Sequence, residues 1–235
     1  MDRHDTKYVL NRHDFELMLP ELSSEYRVLD VNGNRVSKYV SQYFDSSNFE
    51  FYRLHQTGKK NRVKIRIRRY VESNINFLEV KLKNNKGRTI KHRMPVGELR
   101  SELTSHDNAF IREHTLLDFD LHSALMNSFS RITLVHKTKP ERLTFDLELA
   151  FKNRSEGNLE IPNLVIAELK QEKFDRSSLF PARMKANLLR PETISKYCLG
   201  LALLESNVKK NEIKQKIKKL STLTDQNLIS KLMSA

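Results

Sequence analysis

Three strand-like segments between residues 62 and 93 decide the fold of this chain. They read RVKIRIRRY (62–70), FLEVKLK (77–83) and, after the turn NNKG (84–87), RTIKHR (88–93). In each segment charged and apolar residues alternate with a period of two, which is the period of a β-strand. The asparagines and glycine of the turn suit the positive φ angles of a hairpin.

The alternation gathers basic side chains on one face of these three predicted strands. The seven basic groups on that face are Lys64, Arg66, Lys81, Lys83, Lys91, Arg68 and Arg93. Like charges on neighbouring strands repel one another. Either an anion binds to this face, or the face is hydrated.

Five further segments carry the same pattern, so the sequence predicts eight strands. They cover about residues 3–10, 36–44, 131–137, 142–151 and 164–170, and one unbroken alternation puts Arg142, Asp146 and Glu148 on a shared face. A helix is predicted from an N-cap at Asn11 to Pro20. Helix-like apolar spacing also marks Leu116, Leu117, Leu121 and Leu125, and helices are predicted over most of residues 175–220.

Two architectures fit eight strands that are apolar on one face and charged on the other. An open sheet could pack its apolar face on helices and leave its charged face in water. Alternatively, the strands could close into a barrel whose interior is charged and wide enough for a thin ligand. Acids that share a face with bases, such as Asp5 with Lys7 and Glu168 with Lys170, favour the barrel. The pattern alone leaves both architectures open.

Composition limits the class of protein. The chain has 235 residues, 38% of them hydrophobic, which suits one large domain or one domain with a small appendage. A formal charge of +13 favours polyanionic partners. Its one cysteine, Cys198, excludes an intramolecular disulfide, fits a reducing compartment and is predicted to be buried. With no apolar run of about 18 to 20 residues and no apolar signal core at the N-terminus, we predict a soluble, cytoplasmic protein.

Motif searches exclude several kinds of site and leave one chemistry. The sequence contains no Walker-type or dinucleotide-binding glycine loop, no zinc-ligand spacing and no family-specific nucleophile motif. Lysines, arginines and carboxylates remain. Arginine and lysine bind phosphate, and carboxylates among phosphates suit Mg²⁺ or Mn²⁺. Phosphoryl transfer depends mostly on positioning and charge neutralisation, which such residues supply.

An ordered set of short motifs resembles one known family. The motifs are Arg3-x-Asp5-x-Lys7-Tyr8, Tyr43-Phe44-Asp45, the segments 64–70 and 77–81, residues 86–93, Glu168-Leu-Lys170-Gln171 and Ser195-Lys-Tyr-Cys-Leu-Gly200. Together they resemble the polyphosphate polymerase (VTC) domain of the triphosphate tunnel metalloenzyme superfamily, over about residues 1–205. The remainder, residues 206–235, is predicted to be a basic C-terminal helical tail.

The resemblance implies an α+β fold: an eight-stranded antiparallel barrel that forms a charged tunnel, flanked by helices. It implies an enzyme that transfers the γ-phosphoryl group of ATP to a growing inorganic polyphosphate chain, with Mn²⁺ or Mg²⁺ as cofactor. ATP and polyphosphate are the implied partners. Nucleic acid is not expected, a membrane-protein partner is left open, and the oligomeric state is not predicted.

The resemblance also implies roles for individual residues. The implied catalytic residues are Arg66, Arg68, Lys81, Lys91, Arg131 and Glu168. The implied polyphosphate-binding residues are Lys7, Arg66, Arg68, Lys81, Lys91, Arg93, Arg131, Arg142 and Lys196. The implied metal ligand is Glu168, with Asp5, Glu79, Asp146 and Glu148 as further metal ligands or partners of the bases. At Asp5 much of the superfamily has a glutamate, so the carboxylate here is one methylene shorter.

Other functions stay open at this stage. A hydrolase of the same superfamily would use the same groups to cleave a triphosphate, and a non-catalytic module would bind polyphosphate without turnover. A nucleic-acid binder is permitted by the charge, but cations inside a tunnel would not reach a duplex backbone. The lysine-rich stretch 209–219 fits a hydrated helix, or a surface for polyphosphate, membrane or a partner.

Overall fold

The structure, a computed structural model, describes residues 4–86, 88–115, 120–155 and 157–234. Within these ranges the fold is α+β, with ten strands and seven helices. The strands are β1 (His4–Asn11), β2 (Tyr26–Val28), β3 (Val36–Ser46), β4 (Arg62–Tyr70), β5 (Ile75–Lys83), β6 (Thr89–Val96), β7 (Leu121–His136), β8 (Glu141–Asn153), β9 (Asn158–Ile161) and β10 (Leu164–Gln171). The helices are α1 (Arg12–Glu25), α2 (Glu50–Gln56), α3 (Ser105–Thr115), α4 (Leu179–Ala186), α5 (Lys196–Leu204), α6 (Asn211–Thr224) and α7 (Leu228–Ser234).

All strands belong to one antiparallel sheet in the order β1-β10-β8-β7-β3-β4-β5-β6. The short strands β2 and β9 pair with β7 and β8 beside this path. Its ends are β1 and β6, and no ladder joins these two strands in the described part of the chain. The predicted closed barrel of eight strands is therefore not confirmed. Alternation in a sequence indicates which face a side chain occupies, but not which edges pair.

The sheet nevertheless wraps around the beginning of α5. Lys7 on β1 donates a hydrogen bond to the carbonyl of Ile194, and Lys64 on β4 donates one to the Ser195 hydroxyl. Lys196 pairs with Asp146 on β8. Because β1 and β4 lie five positions apart in the sheet order, they can meet one short segment only if the sheet is strongly curved.

Three apolar clusters hold this arrangement together. On the outer face, α1 and α4 cover β1, β10, β8 and β7, with Phe15 and Phe180 against Phe145. Also outside, α2 and α3 cover β3, β4 and β5, whose Ile65 and Ile67 are fully buried. The third cluster places α5, α6 and α7 against the inner face of the sheet at one end. The charged part of the inner face lies beside these inner helices.

Two predicted elements differ from the structure. Asn11 is the N-cap of α1, accepting from the backbone N–H of Asp14, but the helix continues past Pro20 to Glu25. Burial of Met18 and Leu22 on either side of the proline holds that last turn on the sheet. The helix predicted from the spacing of Leu121 and Leu125 was wrong, because both residues lie on β7. Leu116 and Leu117 lie outside the described residues.

The single alternation predicted through residues 142–151 is also wrong, because a β-bulge interrupts it. Glu148 has a φ of 54°, and the β7–β8 register shifts between Ser128 and Ser130. An extra residue in one strand turns the following side chains to the opposite face. Leu147 consequently packs in the outer cluster and Leu149 in the inner one.

The C-terminal helices pack onto the core. Ile213, Ile217 and Leu220 of α6 are buried, while most lysines of that helix face outward. The predicted boundary at residue 205 stays a prediction. Among the described helices, the longest have 14 residues, and none combines the length and apolar character that crossing a membrane requires.

Candidate functional site

The inner face of the sheet carries charged residues on six strands, four on one side of β3 and two on the other, and on α5. The strand register places their Cα atoms opposite one another: Lys7 with Glu168, Asp5 with Lys170, Arg131 with Asp146, Arg66 with Glu79, and Lys64 with Lys81. We call this surface the charged cleft and define it by these ten residues together with Arg68 and Lys196. The opposite face of the same strands is apolar and packs on helices. The cleft is therefore lined by side chains that stand on a rigid sheet.

Glu79 is the acidic centre of one half of the cleft. Its side chain is fully buried and accepts two hydrogen bonds from Arg66, at 2.9 and 2.6 Å, and one from Lys91. Burial alone would raise its pKa, but the charges of Arg66 and Arg68 outweigh burial and lower the pKa to about 2. Arg66 also donates to the Tyr43 hydroxyl at 3.0 Å. Glu79 is therefore ionised and holds the guanidinium of Arg66 in one orientation.

Asp146 is the acidic centre of the other half. Arg131 binds it with two nitrogens, at 2.5 and 2.8 Å, and Lys196 approaches from α5. Asp146 is buried; burial would raise its pKa, but Lys196 and Arg131 hold the pKa well below the usual range. This carboxylate joins the first turn of α5 to the sheet.

Glu168 and Asp5 share one ammonium at the β1–β10 edge. Lys170 lies 3.0 Å from Glu168 and 2.8 Å from Asp5. Burial would raise the pKa of Glu168, but the charges of Lys7 and Lys170 lower it to about 2. Both carboxylates lie on the face of the cleft, and the ammonium between them marks a position that suits a cation.

Two aromatic rings form the floor beneath the cations. Tyr39 and Phe129 stack with their centroids 5.2 Å apart. The guanidinium carbons of Arg68 and Arg131 lie 5.2 to 5.7 Å from these two ring centroids, and the ammonium of Lys196 lies 4.4 Å from that of Phe129. Ring faces attract cations although the rings carry no net charge. The floor therefore keeps the three cations in place without neutralising them.

Four basic side chains of the cleft have no carboxylate partner. Lys7, Lys64, Arg68 and Lys81 form no ion pair within 4.0 Å in the part of the chain that the structure describes. Burial, followed by repulsion from Arg66, lowers the pKa of Lys81 to about 6 and that of Arg68 to about 10. Burial likewise lowers the pKa of Lys64. Buried cations without partners raise the free energy of the fold, and a bound anion would remove that cost.

Comparison with known proteins identifies the family. The family model described as "VTC domain" matches residues 2–205. The chain belongs to the VTC domain family.

Solved structures share the fold of this VTC domain. A candidate adenylate cyclase from Bacillus halodurans is 12% identical, with a TM-score of 0.51 over 83% of this chain and 96% of that one. A candidate adenylyl cyclase from Hippeastrum, described as having a dominant triphosphatase activity, is 14% identical, with a TM-score of 0.50 over 85% and 94% of the two chains. At these identities the likeness shows a common fold. Among curated proteins, none matches the sequence significantly.

The structure of the VTC domain brings most of the predicted site residues together. Within or beside the cleft lie Lys7, Arg66, Arg68, Glu79, Lys81, Lys91, Arg131, Asp146, Glu168, Lys196 and Asp5. Arg93 and Arg142 are exposed at its rim, and Arg93 lies over the Phe77 ring at 4.9 Å. Glu148 is exposed and accepts from the Ser130 hydroxyl, because the bulge removes it from the alternation that contains Asp146. The functional roles of all these residues stay predictions.

The carboxylates do not gather into one cluster. Within residues 4–86, 88–115, 120–155 and 157–234, no three acids, histidines or cysteines are close enough to hold a metal ion together. Glu79, Asp146 and Glu168 each lie beside cations of their own instead. A dedicated protein cage for a metal is thus not formed by these residues, whereas Mg²⁺ commonly needs only one or two carboxylates plus phosphate oxygens.

Several residues of the site were not predicted. Lys64 shows the correct alternation but was not assigned to the site, and Tyr39 and Phe129 give no signal before the strands are paired. The Tyr197 hydroxyl donates to buried Asp45, which also accepts from the backbone N–H groups of Phe51 and Tyr52 at the start of α2. Asp45 and Tyr197 each belong to one of the motifs quoted above. The joint presence of those two motifs was the only sequence feature that pointed to this hydrogen bond. This link fixes α5, and with it Lys196.

Proposed function

We propose that this VTC domain is a polyphosphate polymerase of the triphosphate tunnel metalloenzyme superfamily. It binds the triphosphate of ATP in the charged cleft and transfers the γ-phosphoryl group to the end of an inorganic polyphosphate chain. In this reaction an oxygen of the acceptor's terminal phosphate forms a bond to the γ-phosphorus. The bond between that phosphorus and the β-phosphate oxygen breaks, and ADP leaves with the electron pair.

The observation that carries the proposal is a group of basic side chains on β4 and β5 without carboxylate partners: buried Arg68 and half-buried Lys64 and Lys81. Lys64 and Lys81 face each other across β4 and β5, and Arg68 lies four residues further along β4, so the basic groups extend along the strand rather than gathering at one point. A linear oligophosphate carries its negative charges along a line as well. Because all three residues stand on strands and Arg68 also rests on the aromatic floor, they need little reorganisation when charge develops during phosphoryl transfer.

The paired cations serve a different purpose in this proposal. Arg66 is oriented by Glu79, and Arg131 by Asp146, so each guanidinium presents its remaining N–H groups in a fixed direction. Guanidinium groups bind phosphate oxygens in a bidentate manner. The two carboxylates also limit the repulsion among the cations, which keeps the empty cleft stable enough to fold.

The donor set fits a hard divalent cation at the β1–β10 edge. Glu168 is ionised and, with Asp5, surrounds a position now held by the ammonium of Lys170. These two carboxylates would hold Mn²⁺ or Mg²⁺ together with phosphate oxygens of the substrate. When bound, the metal would neutralise charge on the transferring phosphates and orient them.

A triphosphatase is the second candidate function. The Hippeastrum protein of the same fold is described by that activity, and a cleft that positions an acceptor phosphate can also position water. Both candidate functions need the same basic groups and the Glu168 carboxylate, so they differ in their products rather than in their binding site.

The test is product analysis with purified protein, ATP and Mn²⁺, in which the products are separated by size on a gel stained for polyphosphate. We expect long chains from the wild type and none from Glu168→Ala. The matched control is Glu160→Ala, which removes an exposed carboxylate on β9, outside the cleft.

Each outcome has a defined meaning. Loss of ATP with orthophosphate as the only phosphate product would favour the triphosphatase. Binding of polyphosphate with no turnover in any divalent metal would show a binding module. Chain synthesis that survives Glu168→Ala unchanged would contradict the assignment of this carboxylate.

A further inference from the structure

A cavity of about 550 Å³ opens beside the charged cleft, between the β1 edge, the α2–β4 connection and the inner helices α5 and α6. Its volume lies within the range of about 300–1,000 Å³ that is usual for small-ligand sites. Lys7 and Lys64 line both the cleft and the cavity, so the two spaces share a wall. The other cationic residues of its wall are Arg62, Lys83 and Lys216.

Three lysines from three separate elements converge on three consecutive residues of this wall. Lys216 of α6 donates to the carbonyl and, at 3.2 Å, to the hydroxyl of Thr193. Lys7 of β1 donates to the carbonyl of Ile194 at 3.3 Å, and Lys64 of β4 donates to the Ser195 hydroxyl at 3.1 Å. Every one of these acceptors is a neutral oxygen. We call this arrangement the lysine cavity.

The positive charge of the lysine cavity is not neutralised by its own acids. The wall contains three acids, Asp5, Glu192 and Glu212, against five lysines and arginines. Of these acids, Asp5 lies 2.8 Å from Lys170 and Glu192 pairs with Lys219. Neither of those two bases lines the cavity. For the three converging lysines, no ion pair within 4.0 Å is formed with any residue in the described ranges.

Two buried nitrogen atoms in the same wall also lack partners. The Nε2 atom of His55 and the Nε atom of Arg62 are shielded from solvent and make no hydrogen bond with any described residue. Burial, with smaller contributions from Lys64, Arg62 and Lys83, lowers the pKa of His55 to about 2. A buried polar atom without a partner is costly. An anion in the cavity would satisfy these two groups once their side chains turn toward it.

We propose that the lysine cavity binds the phosphates of a linear inorganic polyphosphate that extend beyond the three held in the charged cleft. This inference rests on the proposed function and deepens it, because it names which part of the substrate the cavity takes. A triphosphate would occupy the cleft alone, whereas a longer chain would continue past Lys7 and Lys64 to Arg62 and Lys216. Lys216 belongs to α6, which lies beyond the segment matched by the VTC domain. Helix α6 would thus contribute to the preference for long chains.

The experiment measures the dissociation constants of tripolyphosphate and of long-chain polyphosphate by titration calorimetry with the full chain. For Lys216→Gln we expect the ratio of the two constants to move toward one by roughly tenfold or more, as for the loss of one charged hydrogen bond. The matched control is Lys218→Gln. That change removes the same charge from an exposed position of α6, but Lys218 does not line the cavity, so the ratio should be unchanged.

A second variant and an NMR titration of the wild type test whether misfolding of Lys216→Gln explains the result. Arg62→Gln alters the opposite wall of the cavity without touching α6 and should change the ratio in the same direction. In the wild type, NMR titration should show the pKa of His55 rising with long chains and not with tripolyphosphate. An unchanged ratio in both variants, or equal weakening of both ligands, would overturn the inference. Failure of tripolyphosphate to bind the wild type would instead overturn the proposed function, and this inference with it.

Discussion

Replacement of Glu79 by glutamine tests how the charged cleft tolerates its own positive charge. The Glu79 side chain is fully buried and is the shared partner of Arg66 and Lys91. Glutamine keeps the shape but removes the charge. The change therefore leaves two basic groups without their anion, in the same region as the unpaired Arg68 and Lys81.

The size of the effect follows from the pKa of Glu79. A carboxyl whose pKa falls from 4.5 to about 2 on folding contributes about 3 kcal/mol to stability at neutral pH. That figure agrees with the cost of about 3–5 kcal/mol for removing one partner of a buried ion pair. Because the pKa is lowered in the folded state, this contribution is present above the ordinary value and is lost as the pH falls toward 2. At pH 3 we expect about 1 kcal/mol to remain.

Urea unfolding followed by circular dichroism measures this contribution in wild type and Glu79→Gln at pH 7 and at pH 3. Glu102→Gln, at an exposed position, should change stability by less than about 0.5 kcal/mol and serves as the control. Tripolyphosphate should restore part of the lost stability, since a bound anion replaces the missing charge. A variant as stable as the wild type at pH 7, or a loss of equal size at both pH values, would refute this account of the cleft.

Three further predictions concern the cleft and the helix that closes it. Burial and Arg66 lower the pKa of Lys81 to about 6, so Lys81 should take up a proton when tripolyphosphate binds at pH 7.5. Calorimetry in buffers of different ionisation enthalpy should show about one proton more taken up by the wild type than by Lys81→Met. Equal uptake would contradict this prediction. In Gly200→Ala the new Cβ would lie 2.5 and 2.6 Å from side-chain atoms of two neighbouring strands, so the free energy of unfolding should fall by about 1–3 kcal/mol. In the control, Gly97→Ala, the new Cβ has no atom within 4 Å, so the variant should have the melting temperature of the wild type. Tyr197→Phe removes a hydrogen-bond donor to buried Asp45 and should destabilise the fold by about 1–3 kcal/mol. Because this hydrogen bond helps to position α5 and its Lys196, the variant should also bind tripolyphosphate more weakly. An unaltered affinity would show that the position of α5 does not depend on this hydrogen bond.

Alternation was a sufficient signal for most of the sheet. Each of the eight predicted strands has a counterpart, because their apolar faces pack on helices and their charged faces turn inward, so both faces obey a period of two. The same signal fails at Glu148, where one inserted residue reverses the faces without changing the types of residue. It also fails for β2 and β9, whose three and four residues are too few to show a period.

The contents of the cleft were predictable, but its internal pairing was not. The strand pattern placed Arg66 and Glu79 on the same face, yet whether Glu79 binds a metal or a guanidinium depends on the register of β4 and β5. The aromatic floor depends on the register of β3 and β7, which the sequence does not indicate. The lysine cavity was beyond prediction, since it forms only where β1, β4 and α6, which lie far apart in the chain, meet at residues 193–195.

The most direct test of the central claim is a crystal structure of the protein with bound tripolyphosphate. The account predicts three phosphates along the inner face of the sheet, within hydrogen-bond distance of Lys64, Arg68 and Lys81. Phosphates bound only to the exposed lysines of α6, with the charged cleft unchanged, would contradict it.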